Sequence, residues 1–294
     1  MKAYSFFISL FITLILITLN LSAQNCTDVS LFLKSDSTQS LNEVCSETGD
    51  LFLKVGHHGP AIENEYLGLR IFFNATTAVD VYSKTKKGLE LKKFLWYPNA
   101  EQQAEGWGVD MYKVGSTVGL GGIRLWDGKK VVLLDPVTER IARVKKEKNY
   151  SYMEMISLGV PYKGDKVDIK VRITVYCDKR EAKVEAEEMN GKRIQFVTGI
   201  NYHKGNKVEK SKNYVSVWGI HPEDVAEHPV NLGAAIVFNP KNFKTQQDDG
   251  EEILFISKPN KSIKVWITSA NELEDGINTA DSFVTYVNKI DIPR

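Results

Sequence analysis

Excess charge of one sign, cysteine and long apolar runs are all scarce in this chain, and each shortage removes a class of function. Basic and acidic residues number 38 and 37, for a net charge of +1. A chain without a basic excess has no electrostatic footprint for a phosphate backbone, so no nucleic-acid partner is expected. The stretch Lys145-Lys146-Glu147-Lys148 carries its own acid and reads as a solvated turn. Three cysteines permit one disulfide and leave one thiol. Cys26 and Cys45, close in sequence, are expected to staple an N-terminal arm, with Cys177 a small buried hydrophobe in an alternating strand. With nine prolines and no low-complexity linker, a single unit over residues 51–294 is expected after an arm at 24–50.

The one long apolar run, Phe6 to Leu19, follows Lys2 and precedes the small-residue site Leu21-Ser22-Ala23. That order reads as a signal peptide over 1–23 with a mature start near Gln24. At about 14 residues the run is shorter than the roughly 20 needed to span a bilayer. Ala23-Gln24-Asn25 before Cys26 is also a poor lipid-attachment sequence. A periplasmic or secreted protein, without membrane attachment after signal cleavage, is expected.

Apolar and charged residues alternate strictly in Val167-Asp168-Ile169-Lys170-Val171-Arg172-Ile173 and Ala182-Lys183-Val184-Glu185-Ala186. Leu67–Phe73 and Ala78–Tyr82 are similarly strand-like. Period-two patterning with Gly, Asn and Asp turns predicts an all-β antiparallel sandwich. Two helices are expected. One spans Pro98 to Glu105, with Pro98 at its first position and Gly106 as its stop. The other, after Asn278-Thr279, carries Phe283, Val284, Val287 and Ile290 at helical spacing and seals an edge of the sandwich.

Histidine is also scarce, five in all, yet two sit side by side in Gly56-His57-His58-Gly59-Pro60-Ala61-Ile62-Glu63-Asn64-Glu65. Imidazoles beside carboxylates in a Gly/Pro-shaped loop suit proton transfer or ligand binding, and equally a solvated turn. A second tract, Gly106 to Gly128, interleaves glycines with Trp107, Asp110, Tyr112, Lys113, Arg124 and Trp126. No Gly-Lys-Ser/Thr or dinucleotide fingerprint accompanies them, which excludes a nucleotide loop. Lys113 and Arg124 can neutralise a carboxylate or sulfate, and Trp107 and Trp126 can stack on sugar rings or pack in the core. A third tract delivers Tyr202 and His203 at a strand end, and His221 sits before Pro222, where Glu223 or Asp224 can orient it. No cofactor is expected. A zinc site from His57 or His58, Glu63 and His203 stays open, but no His-Glu-x-x-His supports it. No Gly-x-Ser-x-Gly elbow is present.

Together, HHGPAIENEYLGLRIFF, ELKKFLWYPNAEQQAEGWGVDMYKVGSTVGLGGIRLWDG, FVTGINYHKG and WGIHPEDVA resemble the family known as domain of unknown function 4861, over about Gly56 to Asn288. The resemblance implies an exported bacterial protein from polysaccharide utilisation, with a β-rich fold similar to the supersandwich of mutarotase-like and lyase domains. It implies dehydration of the terminal uronic acid of an anionic, ulvan-type oligosaccharide, leaving a 4,5-unsaturated sugar for an unsaturated glucuronyl hydrolase. Such an elimination needs a base, a proton donor and a cation beside the carboxylate. His58 and His203 are assigned to acid/base roles, with Tyr112 or Tyr202 as the alternative proton carrier. Lys113 and Arg124 would hold the carboxylate and Trp107 and Trp126 the rings, with His57, Glu63, Glu65 and His221 as further substrate contacts. Two rivals use the same tracts: a glycoside hydrolase with Glu63 and Glu65 as its carboxylate pair, and a non-catalytic carbohydrate-binding protein. Oligomeric state is not legible.

Overall fold

Alternating strands need a partner layer for their apolar face, and here three antiparallel sheets supply it. The computed structural model describes residues 25–222 and 226–291, so the expected signal peptide, and Glu223 and Asp224, lie outside the described residues. The largest sheet has nine strands. It runs from Lys207–Lys210 through Tyr214–Gly219, Leu232–Phe238, Ser262–Asn271, Ala182–Glu188, Asp165–Tyr176, Tyr150–Tyr162 and Glu139–Lys146 to Glu43–Ser46 at its far edge. Along Ala182–Glu188 every second residue is buried, the signature of one wet face.

Two five-stranded sheets oppose it. The first orders Thr27–Ser30, Ala61–Asn64, Leu67–Ile71, Val79–Ser83 and Val109–Asp110; the second orders Phe243–Asp248, Glu252–Ser257, Phe196–Asn201, Arg124–Trp126 and Val131–Val132. Leu69, Ile173 and Phe196, one from each sheet, are fully buried in a single core, which makes the fold a β-sandwich. Residues 119–120 stitch the two smaller sheets together, Gly119 bridging Val79 and Leu120 bridging Ile200. Only glycine fits at 119: its φ is +68° and an added Cβ would lie 2.0 Å from the Val79 carbonyl oxygen.

Two expectations need correcting. The disulfide is Cys26–Cys177, with Cα atoms 5.1 Å apart, and Cys45 is free and exposed. The reason is topological: Thr27 Oγ1 lies 2.8 Å from Ser151 Oγ, and Tyr150 pairs with Tyr176, so the first strand starts beside residue 177. Cys45 instead rides on the edge strand opposite Ile141. The arm at 24–50 thus enters both layers. The final helix, Ala280–Val287, does not seal an edge. It lies on the outer face of the large sheet, where Phe283 and Val287 pack with Tyr214, Ala235, Val237 and Trp266. Thr279 caps it through a reciprocal box with Ser282.

The other expected helix is shorter, Ala100–Ala104, and Asn99 rather than Pro98 starts it, bonding Gln102 in both directions. A further turn, Leu91–Phe94, has no regular apolar period and was not legible. Among the described residues no helix is long and apolar enough to cross a membrane.

Candidate functional site

The first five-stranded sheet carries an ionic cluster where its neighbours are apolar. Arg70 and Asp80 stand opposite each other in the strand register, and Asp110 arrives on the next edge strand. Arg70 Nε donates to Asp80 Oδ2 at 2.8 Å, Nη2 to Asp110 Oδ2 at 2.8 Å and Nη1 to the Tyr97 hydroxyl at 2.9 Å. Trp96 Nε1 also donates to Asp110, at 3.0 Å, and its ring lies under the guanidinium at 4.4 Å. Burial, with Asp110 beside it, pushes Asp80 up to about 8 despite Arg70. The cluster is two carboxylates on one cation.

Four non-glycine residues near this cluster hold left-handed backbone: His57, His58, Leu95 and Trp96. Such conformations are costly and concentrate at functional sites. The glycine after the histidine pair is forced by space, since a Cβ on Gly59 would sit 1.8 Å from the Ile71 carbonyl oxygen. His58 is half-buried, stacks on Phe52 with centroids 4.0 Å apart, and donates from Nδ1 to the Phe52 carbonyl at 2.8 Å. A carbonyl only accepts, so the proton of the neutral ring is on Nδ1 and Nε2 carries the lone pair. Burial lowers the His58 pKa.

His58, Arg70, Asp80, Asp110, Tyr112 and Lys113, with the rings of Phe52, Phe72 and Tyr97, line a lobe of about 380 Å³. Val114 and Gly115 line it too, and they also wall a second lobe of about 800 Å³ formed with Ser116, Thr117, Tyr202, His203, Lys204, Ile220, His221 and Glu251. Two adjacent lobes that share a backbone wall therefore draw on parts of all three sequence tracts. Tyr112 is at the junction. It is buried, and its ring lies 4.7 Å from His221. Burial, reinforced by Asp80, raises its pKa well above that of an ordinary phenol.

In the larger lobe His203 Nε2 donates to the Lys113 carbonyl at 2.9 Å, and Asn201 Nδ2 donates to the same oxygen at 2.8 Å. His203 thereby braces the wall that presents Tyr112 and Lys113. Tyr202 donates to Asp248 at 2.7 Å, and this bond pushes its phenol up to about 12.

Several expected residues lie elsewhere. Glu63 is buried in an ion pair with Lys84 and accepts from the backbone N–H groups of Glu90 and Leu91. Glu65 is half-buried at the turn after that strand and does not line the cleft. His57 is fully buried behind His58, bonded through Nε2 to Ser30 Oγ at 2.7 Å, and burial takes its pKa down to about 3. The zinc set is therefore not assembled: Glu63 is paired with Lys84, and His57 with Ser30. Trp107 packs on Phe94 under Lys86 and Lys93, while Trp126 packs beside Val118, Val197 and Leu254. The aromatic faces of the cleft are instead Phe52, Phe72 and Tyr97. Arg124 is buried against Glu252 at 3.1 Å, and its Nη2 donates to the Ser116 carbonyl at 2.6 Å, so it supports the cleft wall from behind.

The residues that sequence reasoning passed over are Arg70, Asp80 and Tyr97. A signal existed for the first two: opposite charges midway along two otherwise apolar strands have to meet, since neither is tolerable alone in a core.

Comparison with known sequences gives a family match over residues 24–291, to the family described as "Domain of unknown function (DUF4861)". No curated protein matches. Among solved structures, a 4-alpha-glucanotransferase from Thermococcus litoralis is similar over 73% of this chain and 38% of its own, at 9% identity and a TM-score of 0.36. A heparan sulfate lyase HepC mutant from Pedobacter heparinus is similar over 72% and 34%, at 8% identity and a TM-score of 0.35. The chain thus spans well under half the length of either protein. At these scores neither likeness bears on the chemistry.

Proposed function

The chain belongs to the domain of unknown function 4861 family, and on that premise we propose that it is a carbohydrate-active lyase that removes water from the terminal uronic acid of an anionic oligosaccharide. The observation that carries this reading is the opposite poise of two side chains in one lobe. His58 is held neutral with its Nε2 lone pair available, and Tyr112 is held protonated. Base and acid are the two groups that a β-elimination requires.

In this reading His58 Nε2 takes the C5 proton, the freed electron pair forms the C4=C5 double bond, and the C4–O bond breaks. The leaving oxygen takes the Tyr112 proton and departs as water. Transfer of the His58 proton back to the tyrosinate, through solvent, restores both groups. Phe52, Phe72 and Tyr97 offer faces to the ring, and Lys113 lines the same lobe. Arg70 is held by Asp80, Asp110 and Tyr97.

The rival readings lose their residues. A hydrolase would need Glu63, which is committed to Lys84. A binding module would use Trp107 and Trp126, neither of which lines the cleft. Action outside the cytoplasm, in the periplasm or medium, accords with the Cys26–Cys177 disulfide.

Incubation with a uronate-terminated, ulvan-type oligosaccharide tests the proposal. Mass loss of one water, with ultraviolet absorbance of the unsaturated product, is the expected result; gain of water or no change overturns it. His58→Ala and Tyr112→Phe are each expected to lower kcat about 10²–10⁴-fold. Undiminished turnover in both variants would remove the assignment.

A further inference from the structure

One hydroxyl on the reacting lobe has a proton that the elimination does not use. Tyr97 lines that lobe with His58, Arg70, Asp80 and Asp110, and it is 41% exposed. Its oxygen accepts from Arg70 Nη1 at 2.9 Å, and the hydroxyl makes no other hydrogen bond among the described residues. A guanidinium only donates, so the phenol keeps its own proton, and that proton points away from Arg70.

We propose that Tyr97 is a specificity-determining residue whose hydroxyl donates a hydrogen bond to the carboxylate of the terminal uronic acid. That the acceptor belongs to a uronate rests on the dehydratase reading; that the lobe presents this donor does not.

The hydroxyl is held in place rather than left on a surface. Leu95 and Trp96, which lead into it, carry left-handed φ angles of 49° and 77°, a strain that an ordinary surface tyrosine has no need of. Trp96 is fully buried, bonds Asp110 through Nε1 at 3.0 Å and packs on Arg70 at 4.4 Å, so the ionic cluster fixes both residues of the turn. Accepting from a cation polarises the O–H bond and strengthens it as a donor. A carboxylate only accepts, and is the strongest acceptor on a uronate.

The placement beside His58 fits the same ligand. In a uronic acid the carboxylate is borne by C5, the carbon whose proton His58 takes, so base and carboxylate donor have to be neighbours. The rings of His58 and Tyr97 meet edge-on with centroids 6.3 Å apart. The cluster behind Tyr97 does not repel an anion at neutral pH, because Asp80, raised to about 8 chiefly by burial, is largely protonated there, and Asp110 alone balances Arg70.

The test compares a uronate-terminated disaccharide with the same sugar after its carboxyl is reduced to an alcohol. In native protein carrying ¹³C at the hydroxyl-bearing ring carbon of tyrosine, the acid is expected to move the Tyr97 signal, assigned by its loss in Tyr97→Phe, and the alcohol to move it less. By calorimetry, Tyr97→Phe is expected to weaken binding of the acid about 10- to 100-fold, the worth of a hydrogen bond to a charged group, and to leave the alcohol unchanged because the ring face remains. A preference for the acid that survives the substitution, or a Tyr97 signal unmoved by the acid, overturns the proposal. Mass spectrometry of the same mixtures reads the reaction separately. A preference lost in Tyr97→Phe without loss of water by the native enzyme upholds Tyr97 and rejects the dehydratase; loss of water with the preference intact does the reverse. The spectroscopic arm uses the native chain and so does not depend on how well the variant folds.

Discussion

Asp80 is the titrating residue of the site, because burial raises its carboxyl and the neighbouring Asp110 adds to the rise against the single charge of Arg70. Its folded pKa, about 8, lies above the roughly 3.9 of an unfolded aspartate. A raised carboxyl contributes stability that is full below the unfolded value and is lost as pH rises through the folded one. Wild-type protein is therefore expected to lose stability between about pH 4 and pH 8 at this residue, and Asp80→Asn to flatten that part of the profile in denaturant titrations. The same ionisation adds negative charge to a lobe meant for a uronate, so turnover is expected to decline above about pH 8 in the wild type and less in the variant. A steeper stability loss in Asp80→Asn would contradict the assignment. The histidine pair announced itself in the sequence by composition; the ionic cluster did so only through two charges set within apolar strands.

Among the elements, residues 114–121 link architecture to chemistry. Val114 and Gly115 wall both lobes, Ser116 and Thr117 the larger one alone, and the second half ties the two smaller sheets through Gly119 and Leu120. Gly119→Ala meets both a left-handed φ and the Val79 carbonyl. It is expected to cost about 1–3 kcal/mol in chemical denaturation, and to lower turnover because the wall moves with the bridge. Full activity at reduced stability would separate wall from bridge. Alternation made most strands legible, as in Ala182–Glu188 and Val79–Ser83. It could not say which aromatic residues reach a cleft, because facing depends on partners far away in the chain. Trp107 thus belongs to a surface cluster with Lys86 and Lys93, while Tyr97, just before the expected helix, bonds Arg70.

For the whole molecule, the Cys26–Cys177 bond closes a loop of 151 residues across most of the sandwich. Removing a native disulfide typically costs about 2–5 kcal/mol, and a long loop favours the upper end. Cys177→Ala is expected to lower stability by that amount, and dithiothreitol to destabilise the wild type but not the variant. Proximity in sequence had pointed to Cys45, since spacing carries no information about strand order. The sandwich class itself was legible because period-two patterning recurs along the chain; the division of one layer into two sheets was not, as it hangs on a few bridging residues.

The odd thiol left by this pairing provides a single point of chemical attachment. Cys45 projects from the edge strand of the nine-stranded sheet, and a contact with Glu139 raises its pKa, so alkylating reagents meet little thiolate at neutral pH and more in mild alkali. A fluorophore or surface tether coupled there would fix the protein in one orientation with its lobes unmodified.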